Sequence, residues 1–310
     1  MRPKTGQSLI DSNRTICMNT EHIRNSGRSR TTPGIKVDKA RSFRKNLSEA
    51  IDLEVRNVFS FIRSLWIPAC IVGLGECIGL AFMGRAVAVE VICAVVVLYG
   101  LAAMGQGVWT MADSHLNAGT RLIARLQLRD ISRTLSLRAA GVACVMLLFS
   151  AIVAAVTMAA LHFVKAAWAA WAIIVVVSVL LSTPASLLMA ELFSRNTGIA
   201  GSIRRGFCLS PKYFGSTLAL NFLTLLLIGL LAVVFFTPIH VLQLAELYSV
   251  EAVLYGDSTD LPGWVPIVRL LLCFVWGWLC ATFSTLWWMA LYLHIHSMNK
   301  KEAEAATKKG

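Results

Sequence analysis

Apolar residues stand in long runs along this chain, and most polar and basic residues lie in the segments between them. Six of the runs have about the twenty residues that an α-helix needs to cross the hydrocarbon core of a bilayer. They cover residues 65–84, 86–104, 139–163, 167–190, 216–239 and 264–292. The pattern predicts an all-α fold, a polytopic membrane protein with six transmembrane helices.

The polar segments predict further helices that lie on the membrane surface. Asn46 and Glu49 have the spacing of a capping box, and apolar residues follow them at helical spacing from Ile51 to Ile62. In segment 121–133 an arginine recurs at every fourth position, which places the basic side chains in one band on a helix. These arginines are Arg121, Arg125, Arg129 and Arg133. We therefore expect two or three cytoplasmic interfacial amphipathic helices, with the arginine band against anionic headgroups or an acidic partner.

The same pattern divides the chain into three parts. Residues 1–45 are rich in Arg, Ser, Thr and Asn and lack apolar periodicity, so they are expected to form a disordered basic tail. Residues 46–298 form the six-helix membrane domain, and 299–310 form a cytoplasmic C-terminal tail. The first apolar run begins only near position 57, which argues against a secretory signal. An organellar presequence and an over-extended start, with Met18 as the true initiator, both stay open.

Composition agrees with lipid as the surrounding medium. Apolar residues make up 56% of the 310 residues, charged residues make up 15%, and the mean hydropathy is +0.66. A soluble domain of this size would expose far more charge. The composition therefore excludes an ordinary soluble globular protein.

The net charge of +12 is distributed unevenly. Of the 29 Lys and Arg residues, 26 lie on one predicted side, in the N-terminal segment, in 106–138, in 191–215 and near the C-terminus. The other side holds Arg85 and Lys165, and its loop 243–262 has four acidic residues and no basic one. Basic loops are retained in the cytoplasm, so both termini are expected inside a bacterial cytoplasmic (inner) membrane. Basic residues do not alternate with aromatic ones, so no nucleic-acid partner is expected.

Charged residues inside the predicted spans are the main candidates for function, because an ion in hydrocarbon is costly unless it is paired or hydrated. Glu76 lies near the middle of the first span, and Glu90 and Arg269 lie at similar depth in the second and sixth. We predict an ion pair between Glu90 and Arg269, with Glu76 deeper in a polar cavity that binds a solute, a headgroup or a proton. The alternative is that Glu90 and Arg269 reach the membrane surface and only hold helices together.

Uncharged residues in the spans predict packing. Asn221 in the fifth span is expected to form interhelical hydrogen bonds. Gly75 and Gly79 form a G-x-x-x-G motif that favours close approach of a neighbouring helix. Trp276 and Trp278 lie at mid-membrane depth, where they line a cavity or face lipid.

No enzyme motif occurs in the chain: H-E-x-x-H, G-x-S-x-G and Walker A patterns are all missing. The eight cysteines show no C-x-x-C spacing and are expected to act as small packing residues. We therefore expect no enzyme activity, no metal and no cofactor.

Three stretches lead from a basic helix into a pair of spans, which suggests a weak three-fold repeat. They are VRNVFSFIRSLWIPACIVGL from Val55, LRDISRTLSLRAAGVACVML from Leu128 and RRGFCLSPKYFGSTLALNFL from Arg204. Over residues 47–298, and most visibly in the third stretch, the layout resembles the multi-pass membrane domain of some bacterial glycerophosphodiester phosphodiesterases and related inner-membrane families. The phosphodiesterase domain itself is absent, so the resemblance implies an accessory, lipid-facing role and carries over no catalytic residue.

Two functional hypotheses follow. One is a non-catalytic accessory or scaffold protein that binds a protein partner, or a second copy, through its basic cytoplasmic face. The other is a small transporter or lipid-handling protein with a polar intramembrane cavity at Glu76, Glu90 and Arg269. A cavity around Glu76 would favour the second hypothesis, and tight apolar packing there would favour the first.

Overall fold

A computed structural model of the chain describes residues 43–82, 86–118, 137–194, 199–256 and 262–307. All of them belong to one compact unit, Val37–Gly310. The described ranges contain six α-helices and no strand. The helices are α1 (Phe43–Ala81), α2 (Val87–Ala118), α3 (Leu137–Phe163), α4 (Ala167–Phe193), α5 (Ile199–Leu254) and α6 (Val265–Thr307). Each is long and apolar enough to cross a membrane, which confirms the predicted all-α fold and the number of long apolar helices.

The first helix begins earlier than the sequence predicts. It is already formed at Phe43, so Asn46 lies inside it and the predicted N-terminal cap is wrong. The side chain of Asn46 is buried, as are those of Leu53 and Phe61. Nothing between residues 46 and 65 breaks the helix, so this segment continues into the first apolar run instead of forming a separate interfacial helix.

Three other helices also extend beyond their apolar runs. Residues 106–118, 199–215 and 243–254 lie outside the predicted spans and are helical, and α6 continues through the predicted C-terminal tail to Thr307. Polar residues end an apolar run without ending a helix, since Glu, Lys, Gln and Ala are all good helix formers. The backbone of α5 is non-helical at Tyr213, two residues after Pro211, where the helix is kinked.

Several predictions fall outside the described residues. They concern the N-terminal tail up to residue 42, the turn at Arg85 and the arginine band at 121–133.

The six helices form a closed ring in chain order. Each helix packs against the next, α6 closes the ring against α1, and α6 also packs against α2. The end of α1 and the start of α2 lie at one end of the bundle, together with the end of α3, the start of α4, the end of α5 and the start of α6. This end is here called the hairpin end. The opposite end carries Arg138, Arg205 and Lys300 and is called the basic end.

Glycines allow the helices of the ring to approach closely. A Cβ at Gly73 would lie 2.7 Å from the Phe274 carbonyl oxygen of α6, and a Cβ at Gly75 would lie 2.7 Å from a Val97 methyl of α2. Gly79 faces Cys93 of α2 as well. The packing role predicted for the G-x-x-x-G motif is therefore confirmed.

Candidate functional site

A cavity of about 590 Å³ lies inside the ring, between α1, α2, α3, α5 and α6. Its wall includes two carboxylates, Glu76 of α1 and Glu90 in the first turn of α2, together with the amide of Gln243. Among the described residues that line it, there is no Lys, Arg or His. We call it the acidic cavity, and its volume falls in the range of small-molecule sites.

Glu76 is half-buried in the wall of the acidic cavity, where α1 and α6 are closest. A Cβ at Gly277 of α6 would lie 3.0 Å from the Glu76 Cγ atom, so the α6 backbone packs directly against the stem of this side chain. Within the described part of the chain, no hydrogen bond or ion pair reaches its carboxylate. A carboxylate in such a place is costly unless something else solvates or neutralises it.

Two aromatic rings face each other at the same cavity. Phe236 of α5 and Trp276 of α6 have ring centroids 5.3 Å apart, at an interplanar angle of 56°. The Trp276 indole donates a hydrogen bond to the Ala232 carbonyl at 3.1 Å, which fixes the orientation of its ring. Both residues line the acidic cavity. Of the two roles predicted for Trp276, lining a cavity or facing lipid, the first is observed.

The predicted ion pair between Glu90 and Arg269 is wrong. Arg269 pairs with Glu246 of α5, and both side chains are mostly buried, at 20% and 23% exposure. Glu246 was placed in an extramembrane loop, but α5 remains helical beyond its apolar run and carries this residue to the first turns of α6. Glu90 and Arg269 were paired because they have equal depth in the membrane, but residues at equal depth can face different neighbouring helices. Arg269 is accordingly not among the residues that line the acidic cavity.

A second cavity, of about 420 Å³, lies between α2, α3, α4, α5 and α6. It is lined mainly by Leu, Met, Val, Ile, Phe and Trp side chains, and we call it the apolar cavity. The two cavities share Leu98 of α2 and Ser150 of α3 in their walls. They therefore adjoin one another along the axis of the bundle.

An aromatic layer closes the bundle on the basic-end side of the apolar cavity. Trp109 lies 5.7 Å from Phe193 and 4.9 Å from Tyr292, and Phe193 lies 5.3 Å from Trp288, between ring centroids. Trp288 is completely buried, and its indole lies against Gly105, where a Cβ would overlap the ring. These four aromatic residues join α2, α4 and α6.

Asn221 makes the interhelical hydrogen bonds that its position predicts. Its amide donates to the Ser186 hydroxyl of α4 at 2.9 Å and to the Ser182 carbonyl at 3.2 Å. Its Oδ1 atom accepts a bond of 3.1 Å from the Trp287 indole of α6. Since Ser182 and Trp287 line the apolar cavity, this network fixes part of the cavity wall.

No known family is matched. Comparisons of this chain with protein-family models, with curated proteins and with solved structures find no similar protein. The resemblance to the membrane domain of phosphodiesterases stays a prediction, and function has to be argued from the geometry of the two cavities.

Other buried polar side chains are held near the basic end. His294 Nε2 lies 3.3 Å from the Thr217 hydroxyl, and Arg205 lies 3.7 Å from the Glu191 carboxylate and donates to Asn299 at 3.0 Å. These contacts join α4, α5 and α6. Among the described residues, no group of three His, Cys, Asp or Glu side chains is arranged to hold a metal ion.

Sequence reasoning missed Phe236 and Gln243 as site residues. With Ile239 between them, they recur at intervals of three and four and lie on one face of α5. The spacing is present in the sequence. The predicted fifth span ends at residue 239, however, so Gln243 falls in the predicted loop 243–262.

Proposed function

We propose that this chain is a non-catalytic multi-pass membrane protein that binds a small organic cation between its helices, as a small transporter or lipid-handling protein. The observation that carries the proposal is the carboxylate of Glu76 in a cavity of about 590 Å³, where the described residues of the wall include no basic one. A cation in the cavity would supply the opposite charge that this carboxylate needs.

The cavity wall favours an organic cation over a metal ion. Phe236 and Trp276 line the cavity. A cation held near an aromatic face gains electrostatic stabilisation, most of all when water is excluded. Quaternary ammonium groups, which have no N–H to donate, are recognised in this way. A metal ion would instead need several oxygen, nitrogen or sulfur ligands arranged around one point.

The same cavity favours binding over a scaffold role. A scaffold was expected to pack its apolar side chains tightly around Glu76, whereas a ligand-binding protein requires space there. The basic surface on which the scaffold hypothesis depended, the arginine band at 121–133, lies outside the described residues. The described residues therefore support the binding hypothesis, and the surface that the scaffold hypothesis needs is not among them.

The charge distribution supports a placement in the bacterial cytoplasmic membrane with both termini inside. Lys and Arg are concentrated in the segments at the basic end, and exposed acids such as Glu251 lie near the hairpin end. In this placement the acidic cavity lies in the outer half of the bundle, because Glu90 begins α2 at the hairpin end.

Cation binding is tested with the full chain in lipid nanodiscs. Titration with tetraethylammonium, followed by calorimetry, should show saturable binding, and Glu76→Gln should weaken it about tenfold or more, the effect of about 1.4 kcal/mol. The matched control is Glu251→Gln, which removes the same charge from an exposed position on α5 outside the cavity. Equal affinity of both variants and the original protein would contradict the proposal.

A further inference from the structure

We propose that the ligand is an amphiphile, with a cationic headgroup in the acidic cavity and a single unbranched alkyl chain in the apolar cavity. The inference rests on the proposed function and adds the substrate class. It follows from two adjoining cavities, of which one has carboxylates in its wall and the other has none among the described residues.

The two cavities meet where only small or flexible side chains intervene. Leu98 and Ser150 belong to both walls, on adjacent helices α2 and α3. Ser150 has a small side chain and Leu98 a flexible one, so a change of the Leu98 rotamer is enough to connect the two cavities. A chain as narrow as a row of methylenes can follow such a path, whereas a bulky ring system cannot.

The apolar cavity offers little polar recognition beyond Ser150, which it shares with the acidic cavity. The hydroxyl of Ser178 donates to the Ile174 carbonyl at 2.7 Å, and that of Ser284 donates to the Ala281 carbonyl at 2.6 Å. Ser182 donates to a carbonyl of its own helix as well, at 2.7 Å. The Trp287 indole N–H is bonded to Asn221. Because these donors are already satisfied, an alkyl chain fits this cavity better than a polar group.

The length of the path limits the length of the chain. Gly277 of α6 packs against Glu76, and Trp288 follows it by eleven residues on the same helix, about 16 Å along the helix axis. Trp288 lines the apolar cavity, belongs to the aromatic layer and is fully buried. A chain of roughly dodecyl length fills this distance, and a much longer one meets the aromatic layer.

The experiment compares two probes with the same headgroup, tetramethylammonium and dodecyltrimethylammonium, on the full chain in nanodiscs. Affinities are referred to the free aqueous concentration of each probe, with empty nanodiscs as the blank. Dodecyltrimethylammonium should bind at least tenfold more tightly than tetramethylammonium, because burial of each methylene from water raises affinity about fourfold.

Variants decide where the chain lies. Met146→Trp fills the apolar cavity without touching the acidic one, and Leu148→Trp, the matched control, makes a similar change at an exposed position on the same helix. Met146→Trp should reduce dodecyltrimethylammonium affinity at least tenfold and leave tetramethylammonium affinity unchanged. Leu148→Trp should change neither. Leu225→Trp, at a cavity position that is also partly exposed, provides a second filling variant should Met146→Trp fail to fold.

Two failures can be told apart. If tetramethylammonium binds and depends on Glu76, but the filling variants leave dodecyltrimethylammonium affinity intact, the chain lies in the surrounding lipid. The amphiphile inference is then wrong and the proposed function stands. If neither cation binds, the proposed function is wrong and the inference falls with it.

Discussion

At the scale of single residues, polar side chains in apolar surroundings are the features that sequence reveals best. Glu76 and Asn221 interrupt runs of apolar residues, so both stand out, and both lie at the places where helices meet. Phe236 could not be singled out in the same way, because an aromatic residue in an apolar run is ordinary. Arg269 was recognised as a candidate, but its predicted partner was wrong. The depth of a residue in the membrane does not determine which neighbouring helix its side chain faces.

Asn221 should contribute measurably to stability through its bonds to α4 and α6. Asn221→Ala leaves the N–H of the half-buried Trp287 indole without its acceptor, while the Ser186 hydroxyl keeps its bond to the Thr183 carbonyl. We therefore expect a loss of about 1–2 kcal/mol in the free energy of unfolding. Thr237→Val is the control, since that hydroxyl is exposed and bonds only to its own helix. Unfolding in a denaturing detergent, followed by circular dichroism, gives both values. A loss no greater than that of the control would contradict the interhelical role.

At the scale of elements, apolar runs located all six helices and misplaced many of their ends. An apolar run ends where polar residues begin, but residues such as those of segment 299–307 are good helix formers and extend α6. The order of the helices around the ring was not predicted. The runs are apolar on nearly every side, so no stripe indicates which neighbour a helix faces.

Contact between α2 and α6 depends on Gly105. A methyl group there would overlap the Trp288 indole, which is fully buried and cannot move aside without disturbing the aromatic layer. We expect Gly105→Ala to destabilise the protein by about 1–3 kcal/mol. Gly229→Ala on α5 meets open space and should be neutral or slightly stabilising, because alanine favours the helix. Unfolding midpoints of the two variants provide the comparison, and equal midpoints would show that the contact is not tight.

At the scale of the whole molecule, charge and apolar runs together predict the topology. Fusion of a reporter that is active only outside the cytoplasm should give high activity after Gly256, at the hairpin end, and low activity after Gly310. The reason is that the basic residues stay on one face while the acidic connection between α5 and α6 crosses. The control is a reporter that is active only in the cytoplasm, which should give low activity after Gly256 and high activity after Gly310. Equal activity at the two positions of fusion would overturn the orientation and the even number of crossings.

The aromatic layer has a further consequence for what this bundle can do with a molecule that it holds. If a ligand occupies both cavities as proposed, the packed rings of Trp109, Phe193, Trp288 and Tyr292 lie at the inner end of its path. Through-passage would require α2 and α6 to part at Gly105, so that the rings could separate. Release of the bound molecule to the side from which it entered, or laterally into one leaflet of the bilayer, would not require the aromatic layer to open.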